Sequence, residues 1–246
     1  MEVRLLGSGG FVPSDRRETG CALLRKDGAA LAIDVGSGAR RLVSDRGLLG
    51  GVDRLHVVLT HFHLDHTLGL FYLVDAGVPI EVWAAGEALE ETATEALLTR
   101  LLGSPFAPQG FLHAFTFREL PVGETPVGPF SVRTRIQRHH SNPTLALRID
   151  DAIAWCTDTA YDEGNVDFVR GAHTLFHEAF RPGNETNDPT HTAAGKAGRL
   201  AAAAEVQRLV LIHIDPAVDQ DDALLQQARE HFASTEIGCD GAAFST

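Results

Sequence analysis

Thr60-His61-Phe62-His63-Leu64-Asp65-His66 puts four side chains of metal-ligand type, His61, His63, Asp65 and His66, within six positions. Imidazole and carboxylate are the usual ligands of borderline divalent ions such as zinc. Residues 54–60 just before them carry Leu55, Val57, Val58 and Leu59 and read as a strand that delivers His61. In a tight turn leaving that strand, His61 and His63 can converge on one ion while Asp65 and His66 turn toward a second. A solvated polar turn is the ordinary alternative, and a lone His-x-His would favour it. The density of ligand-type residues directly after an apolar strand favours a metal site.

Working outward, the pattern predicts strands over 3–6, 22–25, 30–33, 80–84, 115–119, 130–136, 144–149, 152–156, 174–177 and 209–214. Gly36-Ser37-Gly38 breaks the chain before a helix-like stretch that runs to about Leu48, and further helices are expected over 68–76, 87–102, 166–170, 191–205 and 222–232. The two halves share a rhythm of strands followed by helix. That rhythm suggests a four-layer αββα sandwich forming a single domain over 1–246, with a doubly wound α/β sheet as the competing architecture. Several histidines sit at the ends of strand-like runs, where open sheets place chemistry.

Composition limits what the domain can do. Apolar residues are 44% of the 246, enough for a large core, and 22% are charged, which argues against disorder. A formal net charge of −12 weakens any case for unspecific nucleic-acid binding. It leaves an anionic substrate open, because bound divalent cations reverse the field locally. Cys21, Cys156 and Cys239 show no CxxC spacing, so buried free thiols are expected rather than a disulfide framework. No apolar run approaches the roughly 18 residues that span a membrane, and no signal peptide is visible, so the cytoplasm is the expected compartment.

His61-Phe62-His63-Leu64-Asp65-His66 resembles the H-x-H-x-D-H signature of the metallo-β-lactamase superfamily, whose members have the αββα fold, a binuclear site and hydrolytic chemistry. The resemblance extends along the chain in the family's motif order. Asp34, in Ala32-Ile33-Asp34-Val35-Gly36, is similar to the acidic residue that supports the ligands from behind. His140, ahead of Asn142-Pro143-Thr144, is similar to the third-motif histidine, although its neighbour His139 offers the same chemistry. Asp158, in Cys156-Thr157-Asp158-Thr159, looks like the bridging aspartate, and His213 looks like the last ligand. The resemblance implies one ion on His61, His63 and His140, a second on Asp65, His66 and His213, and Asp158 between them. Two Zn²⁺ ions are the implied cofactors, with Mn²⁺ or Fe acceptable to the same donors. Taken alone, His213 has a core role and Asp158 a turn role as ordinary alternatives.

Within the superfamily the chain most resembles tRNase Z and its phosphodiesterase relatives. The opening Leu6-Gly7-Ser8-Gly9-Gly10-Phe11-Val12-Pro13-Ser14, followed by Arg17 and Thr19, is similar to that branch. So are Phe176-His177-Glu178-Ala179 and His191-Thr192-Ala193, in which Glu178 would orient His191 as a proton donor. The implied catalytic residues are Asp65, Glu178 and His191: metal-activated water attacks phosphorus, Asp65 takes its proton, and His191 protonates the leaving oxygen. One feature departs from tRNase Z, whose tRNA-gripping arm lies between the third-motif histidine and the bridging aspartate. Here those positions are 158 − 140 = 18 apart, room for two strands and a turn.

A small phosphodiester such as a cyclic nucleotide is therefore the expected substrate, and a tRNA precursor is disfavoured. Thioester or lactone hydrolysis, tRNA 3′ processing, iron-based redox chemistry and a non-catalytic metal-binding scaffold are the rivals. The Ala-rich helices could support a homodimer. Phe11, Phe62, Phe106, Phe111 and Phe180 could line a pocket, although core packing is the ordinary fate of a phenylalanine.

Overall fold

Alternation along the strands decides the layering. The computed structural model describes residues 1–138, 142–183, 188–217 and 220–246, so His139 and His140 lie outside the described residues. The first half forms β1 (Glu2–Gly7), β2 (Cys21–Lys26), β3 (Ala29–Ile33), β4 (Arg54–Val58), β5 (Ile80–Ala84) and β6 (Phe115–Glu119). The second half forms β7 (Glu124–Val127), β8 (Phe130–Gln137), β9 (Thr144–Ile149), β10 (Ile153–Cys156), β11 (Thr174–Glu178), β12 (Arg208–Ile212), β13 (Thr235–Ile237) and β14 (Ala243–Ser245). The helices are α1 (Arg40–Ser44), α2 (Leu64–Thr67), α3 (Leu70–Leu73), α4 (Gly86–Glu90), α5 (Thr94–Leu102), α6 (Gly164–Val169), α7 (Ala194–Ala203) and α8 (Asp221–Arg229).

The strands make two seven-stranded sheets, ordered β14-β1-β2-β3-β4-β5-β6 and β13-β12-β11-β10-β9-β8-β7. In β3, Leu31 and Ile33 face the second sheet while Ala30 and Ala32 face the helices. In β12, Val210 and Ile212 face the first sheet, and Leu209 and Leu211 face the other helix layer. Three apolar cores result. Leu42, Leu70, Leu73 and Leu98 close the first onto its sheet. Leu147, Trp155 and Phe176 fill the middle, and the alanines of α7 with Leu224 of α8 close the third. This is the αββα sandwich that the strand–helix rhythm suggests. Each sheet is mixed: β3 to β6 run parallel, as do β10 to β13, and the remaining pairs are antiparallel.

Three expectations need correction. The stretch 87–102 is two helices, because Glu91 takes a left-handed φ of 50° and Thr94 starts α5 with its N–H on Glu119 Oε2 at 3.0 Å. β7, β13 and β14 escape a pattern reading because each is an edge strand of three or four residues, too short to show a period. Cys239 is exposed, unlike the buried Cys21 and Cys156. It sits between β13 and β14 beside Asp240, whose carboxylate receives the N–H groups of Ser8 and Glu18. Among the described residues, no helix is long and apolar enough to cross a membrane.

Trp155 is almost wholly buried and stacks on Phe176 with ring centroids 5.2 Å apart. Trp155→Ala should lower the unfolding free energy by about 3–5 kcal/mol in denaturant titration. A loss below about 1 kcal/mol would mean that the core between the sheets does not depend on Trp155.

Candidate metal centre

Both sheets deliver their chemistry from the carboxyl ends of parallel strands, the edge where open α/β sheets hold ligands. In the first sheet, β3 runs into Asp34 and β4 into the turn that carries His61, His63, Asp65 and His66. In the second, β10 leads to Asp158, β11 ends on Glu178 and β12 leads to His213. Three of these residues leave their strands with a left-handed backbone: Asp34 (φ 54°), Asp158 (φ 48°) and His213 (φ 51°). Aspartate tolerates that region, but a histidine there is strained, and such strain gathers at functional sites.

The side chains converge on Asp158. Its Oδ2 lies 3.0 Å from His66 Nε2 and 3.1 Å from His213 Nε2, and its Oδ1 lies 3.9 Å from His61 Nε2. Asp65 Oδ2 lies 3.3 Å from His66 Nε2 and 3.5 Å from His213 Nε2. Among the described residues three groups of donors lie close enough to hold an ion: Asp65, His66, Asp158 and His213; His61, His63 and Asp158; and Glu178, His191 and His213, and the first two share Asp158. The spacings fit. Donors at about 2.0–2.1 Å from a tetrahedral ion sit about 3.3–3.4 Å from one another. The Nε2 atoms of His66 and His213 are buried and make no properly directed hydrogen bond among the described residues, despite carboxylate oxygens this close. Nitrogen lone pairs and carboxylates aimed at a common point are what a cation requires.

The surroundings fix these donors. Asp34 Oδ2 sits 2.9 Å from His66 Nδ1, and Asp34 Oδ1 accepts the Thr60 N–H at 2.7 Å. Nδ1–H of His66 is thereby engaged from behind and Nε2 is turned to the site, the usual arrangement for a ligand histidine. The turn is pressed onto its neighbours at Gly36, where an added Cβ would lie 2.1 Å from Asp65 O. The glycine-rich opening of the chain has a matching role. Gly10 lies flat against His213, an added Cβ falling 2.5–2.7 Å from three ring atoms. The next residue, Phe11, takes a left-handed φ of 63° and donates its N–H to Asp65 Oδ2 at 2.9 Å.

Glu178 is fully buried and serves both sides of the site. Its Oε2 lies 2.8 Å from His191 Nδ1 and 3.6 Å from His213 Nδ1, while Oε1 accepts the N–H groups of Thr159 and Thr192 at 2.7 and 3.1 Å. Phe180 stacks on His191 at 4.1 Å and an interplanar angle of 15°. His191 therefore has one nitrogen on a carboxylate, a ring held in place, and Nε2 as its remaining polar atom. It lines a cavity of about 580 Å³ together with His63, Asp65, Asp158 and His213, which Phe11 and Phe180 also help to wall.

Charge in this cluster is strongly coupled. Burial would push the His213 imidazolium down, but Asp158, Asp65 and Glu178 raise it to about 10. Burial likewise opposes the charge on His66, and Asp158, Asp65 and Asp34 overcome it, holding His66 well above the usual histidine range. Asp158 and Asp65 resist burial for the mirror reason, the nearby imidazoles keeping both far below the carboxylate range. His61 moves the other way: burial and the neighbouring His66 charge keep it neutral. Glu178 is drawn down against burial by His191 and His213, so it is a carboxylate. Without a metal ion, imidazolium charge thus occupies the place a cation would take.

Of the residues proposed from sequence, Asp34, His61, His63, Asp65, His66, Asp158, Glu178, His191 and His213 come together at one edge of the sandwich; His140 lies outside the described residues. Phe62 is half-buried between the cores, Phe111 is buried, and Phe106 lies at a separate cavity. Sequence reasoning missed the support from Gly10 and the Phe11 N–H. The Gly9-Gly10 pair was the available signal, but a backbone contact leaves no ligand-type side chain to notice.

The profile of the Beta-lactamase superfamily domain matches residues 34–214, more than half of the chain. The Ribonuclease Z of Metallosphaera sedula is 26% identical over 94% of this chain and 94% of its own length. Among solved structures, the metallo-beta-lactamase fold protein YhfI from Bacillus subtilis superposes with a TM-score of 0.82 at 20% identity, covering 99% of each chain. A diphosphatase from the PhnP family follows with a TM-score of 0.76 at 19% identity, covering 100% of this chain and 97% of its own. At these identities the two structures attest the fold alone.

Two outcomes follow from the geometry. Gly10→Ala should displace the His213 ring, so the metal content of purified protein measured by mass spectrometry should fall while the circular dichroism spectrum is kept; full metal content would contradict it. His66 and His213 are protonated in the ion-free cluster and must lose those protons to ligate, so zinc affinity should rise with pH between about 6 and 8 with net proton release. Calorimetry in buffers of different ionisation enthalpy measures that release, and a value of zero would contradict the assignment.

Proposed function

The chain belongs to the beta-lactamase superfamily, and from that premise we propose that it is a binuclear, zinc-dependent phosphodiesterase acting on a small phosphodiester. The observation that carries this reading is the Glu178–His191 pair at 2.8 Å, whose histidine lines the same cavity as the donors around Asp158. A thiolate leaves a thioester unaided, whereas the alkoxide of an alkyl phosphodiester is a poor leaving group and needs a proton.

In this proposal Asp65, His66, Asp158 and His213 hold one ion, and His61, His63 and Asp158 hold the other, with His140 as its further ligand. Ions bound there would lower the pKa of water and withdraw charge from phosphoryl oxygens. The chain's own residues supply the rest. Glu178 keeps a proton on Nδ1 of His191, so the mobile proton is the one on Nε2. Phe180 fixes the imidazole plane, and the leaving oxygen receives the Nε2 proton as its bond to phosphorus breaks. Asp65 is assigned to ligation alone. Its Oδ2 already faces the Phe11 N–H, His66 and His213, and contacts that hold a carboxyl so far down leave it a weak proton acceptor.

The Ribonuclease Z relative favours a second reading, 3′ cleavage of tRNA precursors. Against it, residues 142–158 are taken up by β9, a turn with Asp150 and Asp151 at φ 48° and 53°, and β10. That leaves no inserted arm to grip RNA, and the net charge is −12. Zinc-loaded protein assayed on bis(p-nitrophenyl) phosphate, cyclic nucleotides, a thioester, a lactone and a tRNA precursor should prefer the small diesters. Preference for the thioester or lactone, or for the tRNA, would overturn this reading.

His191→Ala should keep its metal yet lose about 10²–10⁴-fold in kcat on an alkyl leaving group and far less on p-nitrophenolate, which needs no proton. Equal losses on both leaving groups would remove His191 from the acid role.

A further inference from the structure

Two cavities meet at Leu68. The first contains the donors around Asp158; the second, of about 500 Å³, lies along α3 and α5 and is lined by Leu68, Phe71, Leu101, Phe106 and Arg100. The join is made by the helical turns that carry the metal motif. Leu64, Leu68 and Phe71, at i, i+4 and i+7, form one stripe, exposed by 59%, 47% and 46%. Leu64 and Leu68 border the donor cavity, and Leu68 and Phe71 border the second. Phe106, on the far wall, is 77% exposed. So much exposed apolar surface, joined to a cleft in a strongly acidic chain, marks a binding surface.

The polar content of the second cavity narrows what can occupy it. The Thr67 hydroxyl is committed to His63 O at 3.0 Å. Arg100 makes no ion pair or hydrogen bond among the described residues. Apart from Thr67 and Arg100 the lining is apolar, so it offers few partners for the donors and acceptors of a nucleobase or sugar, whereas a hydrocarbon has none to satisfy. Phe71 is steadied from beneath by Phe111, with ring centroids 5.1 Å apart, so the groove has a firm floor.

We propose that this groove binds a hydrocarbon arm on the non-leaving ester group of the substrate, running from the phosphorus past Leu64 and Leu68 to Phe71 and Phe106, with Arg100 placed to receive an anion at its far end. The substrate class is an amphiphilic phosphodiester. The assignment rests on the phosphodiesterase reading above and adds to it which of the two ester groups is recognised.

The test compares zinc-loaded protein on p-nitrophenyl phosphodiesters whose second ester group is methyl, butyl or octyl, so that leaving group and chemistry are constant. Each methylene fully removed from water is worth about fourfold, so partial burial should raise kcat/KM about tenfold or more from methyl to octyl. Phe106→Ser, at a site too exposed to threaten folding, should bring the octyl-to-methyl ratio toward one, and Phe71→Ser should do the same. A flat series in the parent protein, or variants that slow both esters equally, would overturn the arm. Sedimentation of the parent and Phe106→Ser gives a further check. A parent dimer that becomes monomeric with the ratio unchanged would show that the face is covered by a second copy instead.

Calorimetric binding of octyl phosphate against methyl phosphate separates the two layers of the proposal. If no diester is hydrolysed but octyl phosphate still binds about tenfold tighter, the phosphodiesterase reading fails and the groove assignment stands. If neither is seen, both fail.

Discussion

Asp158 is the carboxylate on which the two halves of the molecule meet. It stands at the end of a strand in the second sheet, yet one of its oxygens lies within 3.1 Å of histidines from both sheets, His66 from the first and His213 from the second. Everything near it serves that convergence. The sheets are stacked so that their parallel strands end at one edge. The connection that leaves each of those strands turns inward, three of them through left-handed residues. Burying two ligand carboxylates among imidazoles is costly unless charge is balanced, and here protons on His66 and His213 balance it when no metal is bound.

In the proposed reading, exchange of those protons for cations ties the charge balance of the site to its function. Behind the donors, Asp34 bonds to His66 at 2.9 Å and so fixes which imidazole nitrogen faces inward, while the Glu178 carboxylate places negative charge 3.6 Å from His213 Nδ1. Glu178 also bonds to His191, so one buried carboxylate touches both a proposed ligand and the proposed proton donor on the cavity wall. In the proposed mechanism a single substitution at Glu178 therefore disturbs two roles that sequence position alone keeps apart.

Much of this was legible in the chain. The H-x-H-x-D-H run announces itself because a side-chain donor set within six positions has few other uses, and the alternation of Ala30, Leu31, Ala32 and Ile33 places β3 between two cores. What escaped the reading was set by backbone or by tertiary contact. The break at Glu91 lies inside a stretch of good helix formers and is imposed by Glu119 capping Thr94 from a neighbouring strand. β13 and β14 are three residues each and exist only because a longer strand lies beside them. Gly10 and Phe11 act through a missing Cβ and an amide hydrogen, which carry no chemical label. The stripe of Leu64, Leu68 and Phe71 is three ordinary apolar residues in the sequence, and the fold turns it outward beside the site.

The central claim is that the donors around Asp158 hold two cations. Anomalous diffraction from crystals of zinc-loaded protein, recorded on either side of the zinc absorption edge, tests it most directly. Two peaks are expected per chain, one within about 2.3 Å of donors from Asp65, His66, Asp158 and His213 and the other within the same reach of His61, His63 and Asp158. A single peak, or zinc bound elsewhere while Asp158 still pairs with protonated His66 and His213, would contradict it.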